Sequence, residues 1–257
     1  MNQVAPEGSR RSRHEAQRVE ILDAAAAAIA ESGFHGMTMR GLARATGKSL
    51  ASFYNYFPSK EELLFSLQAD AFETLTTSLK AALLDVEDPV ERLHVFILNH
   101  LRFLAEHKSV MRVLVHEASA LPRGRRRTVR LLKERYFQIG RDIVASILGA
   151  GCSSPGADGA GSLDPAEIER VTYSVFGMLN WSYGWYEPEQ HGTPEDVART
   201  IHAVAVCGLV ARCPHRSAQK NLERYLGAIA PAPLVGGAGR SVAADKPNAG
   251  SASGQRG

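Results

Sequence analysis

Apolar residues recur at spacings of three and four along most of the chain, which is the pattern of helices with one buried face. Alternating runs of β-branched residues, the usual sign of strands, are missing. Because 44% of the 257 residues are hydrophobic, the chain can bury a sizeable core. The sequence therefore predicts an all-α protein.

Helix-ending residues place two helices near the amino terminus. The first spans about residues 14–32, and Gly33 stands where a helix end favours a left-handed residue. Thr38 is a typical N-cap for a second helix of about two turns, which Gly47 ends.

A third short helix follows directly. Ser49 caps it, Pro58 ends it, and Phe53 and Phe57 form its apolar stripe. Residues 59–62 spell S-x-x-E, a capping box that opens a longer fourth helix. Two short helices joined by a Gly-containing turn predict a helix-turn-helix unit.

Longer helices fill the rest of the chain, at about residues 89–105, 107–118, 125–149, 165–187 and 194–212. The polar, basic start and the Gly-, Ala-, Ser- and Pro-rich end are typical of disorder. The predicted organisation is a disordered basic arm (1–14), a helix-turn-helix domain (15–80), a larger helical domain (81–228) and a disordered tail (229–257).

Several functional classes are disfavoured. An odd number of cysteines without a CxxC pair favours reduced thiols in a cytoplasmic protein. No run is apolar enough for a signal peptide or a membrane span, so we expect no membrane partner. Cys213 and His215 alone are too few for a metal site. Catalytic motifs are missing, and the adjacent His116 and Glu117 point about 100° apart on a helix. We expect no enzyme, no metal and no cofactor.

Positive charge is concentrated in the helix-turn-helix segment, although the formal net charge of the whole chain is only +3. Between Ser32 and Lys60 there is no acidic residue, and four cations stand there: Arg40, Arg44, Lys48 and Lys60. Lys60 lies in the first turn of the fourth helix, where the helix dipole disfavours a cation unless an anion is close. This pattern favours a surface that binds the phosphate backbone of DNA.

The third predicted helix has an outer face suited to DNA. With the phenylalanines inward, Tyr54 and Tyr56 turn outward, where their hydroxyls suit phosphate oxygens. Asn55 lies nearer the groove and suits a base edge. The alternative is ordinary packing for the tyrosines and a solvated helix face for Arg40 and Arg44.

One stretch of the chain resembles the amino-terminal domain of the tetracycline-repressor-like (TetR/AcrR) transcriptional regulators, over about residues 16–65: ILDAAAAAIAESGFHGMTMRGLARATGKSLASFYNYFPSKEELL. The resemblance implies a homodimer whose third helices enter the major groove at the two halves of a palindromic operator. By position it assigns DNA contacts to Thr38, Ser49, Ser52, Tyr54, Tyr56 and Lys60, to which charge and groove position add Arg40, Lys48 and Asn55. Lys48 and Leu50 depart from the pattern of the family in the turn, so the resemblance does not imply an operator sequence.

The larger domain contains a segment that is apolar on nearly all sides, VTYSVFGMLNWSYGWYEPE. Such a helix must be buried on more than one face, and its polar groups then need partners that a pocket would supply. The predicted pocket residues are Phe103, Tyr136, Phe176, Asn180, Trp181, Tyr183 and Trp185. Alternatively, Trp181 and Trp185 anchor the core and a dimer interface. The family resemblance implies that the last two long helices form that interface.

A basic run, LPRGRRRTVRLLKERY, opens the predicted helix at 125–149. It is either a solvated helix start or a contact for DNA backbone or ligand phosphates, through Arg125, Arg126, Arg127 and Arg130. The segments LNWSYGWYEP and FLAEHKSVMRVLVHEASALP together resemble the subgroup of the family that answers to acyl-coenzyme A thioesters.

The sequence thus predicts a repressor that a small hydrophobic effector releases from DNA, such as an acyl-coenzyme A from lipid or sterol metabolism. The alternatives are an activator or a constitutive DNA binder with a different effector, and a helical scaffold that binds only protein. A scaffold would leave the acid-free basic segment and the position of Lys60 unexplained.

Overall fold

The computed structural model describes residues 7–117, 119–152 and 164–210, and all regular structure in these ranges is helical. The helices are α1 (Glu7–Gly36), α2 (Met39–Ala45), α3 (Leu50–Tyr56), α4 (Lys60–Ala82), α5 (Pro89–Glu106), α6 (Lys108–His116), α7 (Arg123–Cys152), α8 (Pro165–Trp181), α9 (Pro188–His191) and α10 (Pro194–Val210). The all-α prediction is confirmed.

The start of α1 differs from the prediction. Because α1 begins at Glu7, residues 7–14 belong to a helix, and the prediction of a disordered arm is wrong for them. Glu7 and three arginines in this segment are good helix formers, and positive charge alone does not prevent a helix. Residues 1–6 and the predicted tail 229–257 lie outside the described residues.

Gly33 interrupts α1 at the predicted place, with φ 73° and ψ 164°. Glycine is nearly the only residue that adopts this conformation. The chain therefore turns there before the helix-turn-helix unit begins.

Three side-chain caps set the helix starts in this unit. The Thr38 hydroxyl oxygen accepts a hydrogen bond from the Gly41 backbone N–H at 3.0 Å. Ser49 and Ser59 accept equivalent bonds at the starts of α3 and α4, each at 3.1 Å. The caps predicted from the sequence are confirmed, and Phe53, on the inner face of α3, is buried as expected.

The helix predicted for residues 165–187 ends earlier, at Trp181, and a short 3₁₀ turn, Ser182–Gly184, follows it. The Ser182 hydroxyl donates to the Met178 carbonyl at 2.9 Å, a local bond that tends to bend helices. Tyr186 is then buried, and its hydroxyl donates to the Gly192 carbonyl at 3.1 Å. The sequence reasoning missed this break because the segment is apolar on both sides of it.

One apolar core runs through both domains, from Ile21 on α1 to Leu209 on α10. Helix α4 carries this core from the helix-turn-helix unit into the larger domain, where it packs on α5 and α7. Helix α6 packs along α1, and α10 packs along α5. The helix-turn-helix unit therefore rests directly on the helices of the larger domain.

Candidate nucleic-acid interface and ligand cavity

The outer face of α3 carries small and polar side chains and no acid. Tyr54 is 48% exposed, and Asn55 and Ser49 are also exposed, while Ser52 is half-buried. The oxygens of Thr38 and Ser49 accept the capping hydrogen bonds, so their hydroxyl hydrogens remain available for donation. These side chains lie where the sequence predicted DNA contacts.

Lys60 is the first residue of α4 and is half-buried. Its Nζ lies 4.7 Å from the centre of the Phe34 ring, a cation–π contact that holds the ammonium group near the helix start. Among the described residues it forms no ion pair, and Arg40 and Arg44 are exposed and equally without an acidic partner there. Three cations of the predicted basic segment are therefore free to meet an anion.

Two of the predicted DNA contacts turn inward. Lys48 forms an ion pair with Glu20 on α1 at 3.0 Å, and its side chain is only 15% exposed. The Tyr56 hydroxyl donates to Gln17 Oε1 at 2.6 Å, and the ring stacks on His14 with the ring centres 4.4 Å apart. The expectation that Lys48 and Tyr56 present free polar groups is wrong, because both fasten α3 and its turn to α1.

A cavity of about 300 Å³ lies among α4, α5, α6, α7 and α8. Three of the predicted pocket residues line it, namely Tyr136, Phe176 and Asn180. The remaining lining comes from residues that sequence reasoning missed: Phe72, Leu75, His100, Met111, Leu114, Val115, Lys133, Phe137, Tyr173 and Gly177. Since most of these residues are ordinary apolar positions on different helices, only the packing reveals the cavity.

The other predicted pocket residues lie elsewhere. Trp181 and Trp185 are 68% and 38% exposed, and Tyr183 Oη lies 2.6 Å from His116 Nε2. Phe103 lines a separate groove between α1, α4 and α5. The prediction that these four residues line the cavity is therefore wrong. Trp181 is the last residue of α8 and its side chain is exposed, while Tyr183 and Trp185 lie beyond the helix end, in and after the 3₁₀ turn.

The cavity contains one buried polar pair. His100 and Tyr136 are both buried, and His100 Nδ1 lies 3.3 Å from Tyr136 Oη. Burial lowers the pKa of His100 to about 4 and raises the pKa of the Tyr136 hydroxyl, so both groups are neutral near pH 7. A histidine on the apolar stripe of α5 was the available sequence signal for this site.

Two arginines of the basic run are used within the protein. Arg125 forms an ion pair with Glu62 at the start of α4, and Arg126 donates to the backbone carbonyls of Ser119 and Leu121 at 2.6 and 2.8 Å. The expectation that these two arginines are available to phosphates is wrong, since each already has a close acceptor.

Two predicted phosphate contacts in this run remain accessible. Arg127 and Arg130 are exposed, and neither forms an ion pair with another described residue. Lys133, on the same helix, lies at the cavity wall and is also exposed. Helix α7 therefore has a cationic face that begins with Lys133 at the cavity wall and continues through Arg130 to Arg127.

Glu117, at the end of α6, joins the two domains. Its Oε1 accepts a hydrogen bond from the buried Phe34 N–H at 3.1 Å, and its carbonyl accepts one from Gln68 Nε2 at 3.3 Å. Because Met111 and Leu114 of α6 line the cavity, one helix contacts both the cavity and the helix-turn-helix unit.

The described ranges hold no cluster of three or more His, Cys, Asp or Glu side chains that could bind a metal ion. Cys213 and His215 lie outside these ranges. Within the same ranges, none of the helices combines the length and the apolar character needed to span a bilayer.

Known proteins resemble the chain over most of its length. The HTH-type transcriptional repressor KstR2 of Mycobacterium tuberculosis (strain H37Rv) is 25% identical over 194 residues, which are 75% of this chain and 92% of KstR2. The crystal structure of the TetR family regulator PfmR from Thermus thermophilus matches with a TM-score of 0.61 at 28% identity, over 72% of this chain and 96% of PfmR. The crystal structure of AibR in complex with isovaleryl coenzyme A and operator DNA has the same fold, with a TM-score of 0.61 at 24% identity, over 73% of this chain and 96% of AibR.

Two family models match the sequence. The model for "Bacterial regulatory proteins, tetR family" matches residues 21–67, and the model for "Tetracyclin repressor-like, C-terminal domain" matches residues 86–209. The first match covers the helix-turn-helix unit with its acid-free basic face, and the second covers the domain that holds the cavity. The chain belongs to the tetR family of bacterial DNA-binding transcriptional regulators.

Proposed function

We propose that this regulator binds a palindromic operator as a homodimer and leaves it when a hydrophobic effector enters the cavity. The observation that carries the proposal is the outer face of α3, which is free of acids and continues to Lys60 at the start of α4. Neutralisation of phosphates by such a surface supplies much of the affinity for DNA.

The contacts divide by chemistry. Tyr54, Lys60 and the free backbone N–H groups at the start of α4 bind phosphates and position α3 in the major groove. Asn55 and Ser52 lie on the groove side and meet base edges. Arg40 adds a phosphate contact from α2, which packs against α3.

The homodimer is supported by exposed apolar side chains on α8 and α10. Tyr173 is exposed, as are Trp181 at the end of α8 and Val204 on α10. Large apolar side chains exposed on the two helices can be covered by a second subunit, since extended exposed apolar surface marks protein–protein interfaces in soluble proteins. The proposed interface therefore consists of the last two long helices.

The cavity supports the effector role. Its volume of about 300 Å³ lies at the lower end of the range of small-molecule sites, ~300–1,000 Å³. A long acyl chain suits its apolar wall, while Lys133, Arg130 and Arg127 on α7 suit the phosphates of a coenzyme A group outside it. The regulator AibR, with the same fold, was solved with isovaleryl coenzyme A and operator DNA. We therefore propose an acyl-coenzyme A as the effector.

The DNA surface is tested by fluorescence anisotropy with DNA fragments from the promoter of the chain's own gene and its neighbours. Lys60→Ala is expected to weaken binding and to reduce the slope of log K against log salt by about 0.9, the effect of one lost phosphate contact. Tyr54→Phe should weaken binding without changing the slope. The matched control is Lys80→Ala, which removes an exposed lysine about 30 Å along the same helix. Unchanged affinity in Lys60→Ala would contradict the proposed surface.

The effector is tested on the same complex. Palmitoyl-coenzyme A should dissociate the protein from DNA, and free coenzyme A should not, because only the acyl chain fills the cavity. Leu114→Trp should reduce the response by filling the cavity, while DNA affinity without effector remains. Transcription from the bound promoter distinguishes a repressor, for which deletion raises expression, from an activator, for which deletion lowers it.

A further inference from the structure

His100 has an unsatisfied nitrogen in the cavity wall. The residue is buried, its Nδ1 faces Tyr136 Oη, and its Nε2 has no hydrogen-bond partner among the described residues. Buried polar atoms in proteins are nearly always paired, because leaving them unpaired is costly. A buried nitrogen at a ligand-sized cavity therefore calls for a partner that the described chain does not supply.

The hydrogen-bond network shows which kind of partner is needed. The buried Tyr136 hydroxyl carries one hydrogen, and a buried donor without an acceptor is costly. Among the described residues, the hydrogen-bond partner of Tyr136 Oη is His100 Nδ1, at 3.3 Å. The Tyr136 hydrogen then points to His100 Nδ1, which accepts it.

The His100 ring is neutral, since burial lowers its pKa to about 4, and a neutral imidazole carries one hydrogen. With Nδ1 accepting from Tyr136, this hydrogen is on Nε2. The unsatisfied atom is therefore a donor, and its partner must be an acceptor.

The rest of the cavity wall limits the ligand further. Phe72, Leu75, Met111 and Leu114 contribute apolar surface to the cavity wall, whose other polar residues are Lys133, Tyr173 and Asn180. A carboxylate bound to His100 Nε2 would exchange its hydration for one neutral donor, which is unfavourable. A carbonyl oxygen loses far less on burial and regains a full hydrogen bond.

We propose that His100 Nε2 donates a hydrogen bond to a keto oxygen on an otherwise apolar effector, so that the cavity selects oxidised hydrocarbon chains or rings over the parent hydrocarbons. This inference rests on the proposed function, because it takes the cavity to be the effector site. It adds the oxygen that the effector must carry inside the cavity and the residues that recognise it, with Tyr136 as the residue that fixes the ring tautomer.

The test uses the full-length protein and two volatile probes, 2-octanone and octane. Headspace gas chromatography over protein solutions gives a Kd for each probe, and the ratio of the two constants measures the preference for the ketone. His100→Phe keeps the ring volume and removes the donor, so it should shift this ratio against the ketone by about tenfold, the value of one hydrogen bond. The matched control is His94→Phe, a half-buried histidine on the same helix that does not line the cavity, and it should leave the ratio unchanged.

The outcomes separate this inference from the proposed function. If both probes bind and His100→Phe leaves the ratio unchanged, the inference is overturned while the effector site stands. If neither probe binds the wild-type protein, the cavity is not a ligand site, and both the effector role and the inference are overturned. DNA binding is measured independently and survives either result.

A second measurement needs no variant. In protein labelled with ¹⁵N-histidine, two-dimensional NMR assigns the tautomer of each neutral ring. His100 should carry its hydrogen on Nε2, and 2-octanone but not octane should shift that nitrogen. A hydrogen on Nδ1, or equal shifts with both probes, would overturn the inference.

Discussion

Replacing Glu117 by alanine removes the carboxylate that joins α6 to the helix-turn-helix unit. The Phe34 N–H, now 3.1 Å from Glu117 Oε1, would be left without its partner at a residue that is only 2% exposed. A hydrogen bond to a charged acceptor contributes roughly 1.5–3 kcal/mol, so we expect a loss of about 2 kcal/mol of stability. For a chain of this size that lowers Tm by roughly 4–8 °C.

Thermal unfolding followed by circular dichroism measures this loss. The matched control is Glu106→Ala at the end of α5, whose side chain is 74% exposed and lies 3.9 Å from His107 Nε2. We expect it to change stability by less than about 0.5 kcal/mol. A melting temperature for Glu117→Ala equal to that of Glu106→Ala would refute the reasoning, because the bond to Phe34 would then contribute nothing.

Three further predictions concern stability. Arg126→Ala should lower the free energy of unfolding in urea by roughly 1–2 kcal/mol, because two backbone carbonyls lose their hydrogen-bond donor. Arg127→Ala removes an exposed side chain and should lower it by less than about 0.5 kcal/mol. Equal effects would contradict the proposed role of Arg126. Gly33→Ala should cost roughly 1–3 kcal/mol because of its backbone conformation, and a neutral result would show that the turn can relax. Burial lowers the pKa of both His100 and His202 to about 4, so each histidine takes up a proton on unfolding between pH 6.5 and 4. The free energy of unfolding should therefore fall by roughly 2 kcal/mol per histidine from pH 7 to pH 5. His100→Phe should make this pH dependence less steep.

Local signals predicted much of the helix-turn-helix unit. The caps at Thr38, Ser49 and Ser59 and the turn at Gly33 depend on residues within three or four positions of each other, so they are legible in a linear sequence. The inward turn of Tyr56 is not, because its partner Gln17 lies 39 positions away on α1. Long-range partners of this kind decide which polar groups stay free for DNA.

The cavity shows the same limit in the larger domain. Phe176 and Asn180 were predicted because their segment is apolar on nearly all sides, yet the same reasoning selected Trp181, which is exposed. Periodicity predicts that a face is apolar, but it does not say whether a neighbouring helix covers it. The prediction for Arg125 was wrong for a related reason, since its ion-pair partner Glu62 belongs to the other predicted domain.

The end of α8 gives the protein a built-in optical reporter. The chain has two tryptophans, Trp181 and Trp185, and both stand at this end, with Trp181 largely exposed in a single subunit. All indole fluorescence therefore originates at the end of α8 and just beyond it, and none within the helix-turn-helix unit. If the proposed dimer forms, the emission maximum should shift to shorter wavelength as the second subunit covers Trp181, so a dilution series would report assembly without any label. Melting of the helix-turn-helix unit alone would leave that emission unchanged.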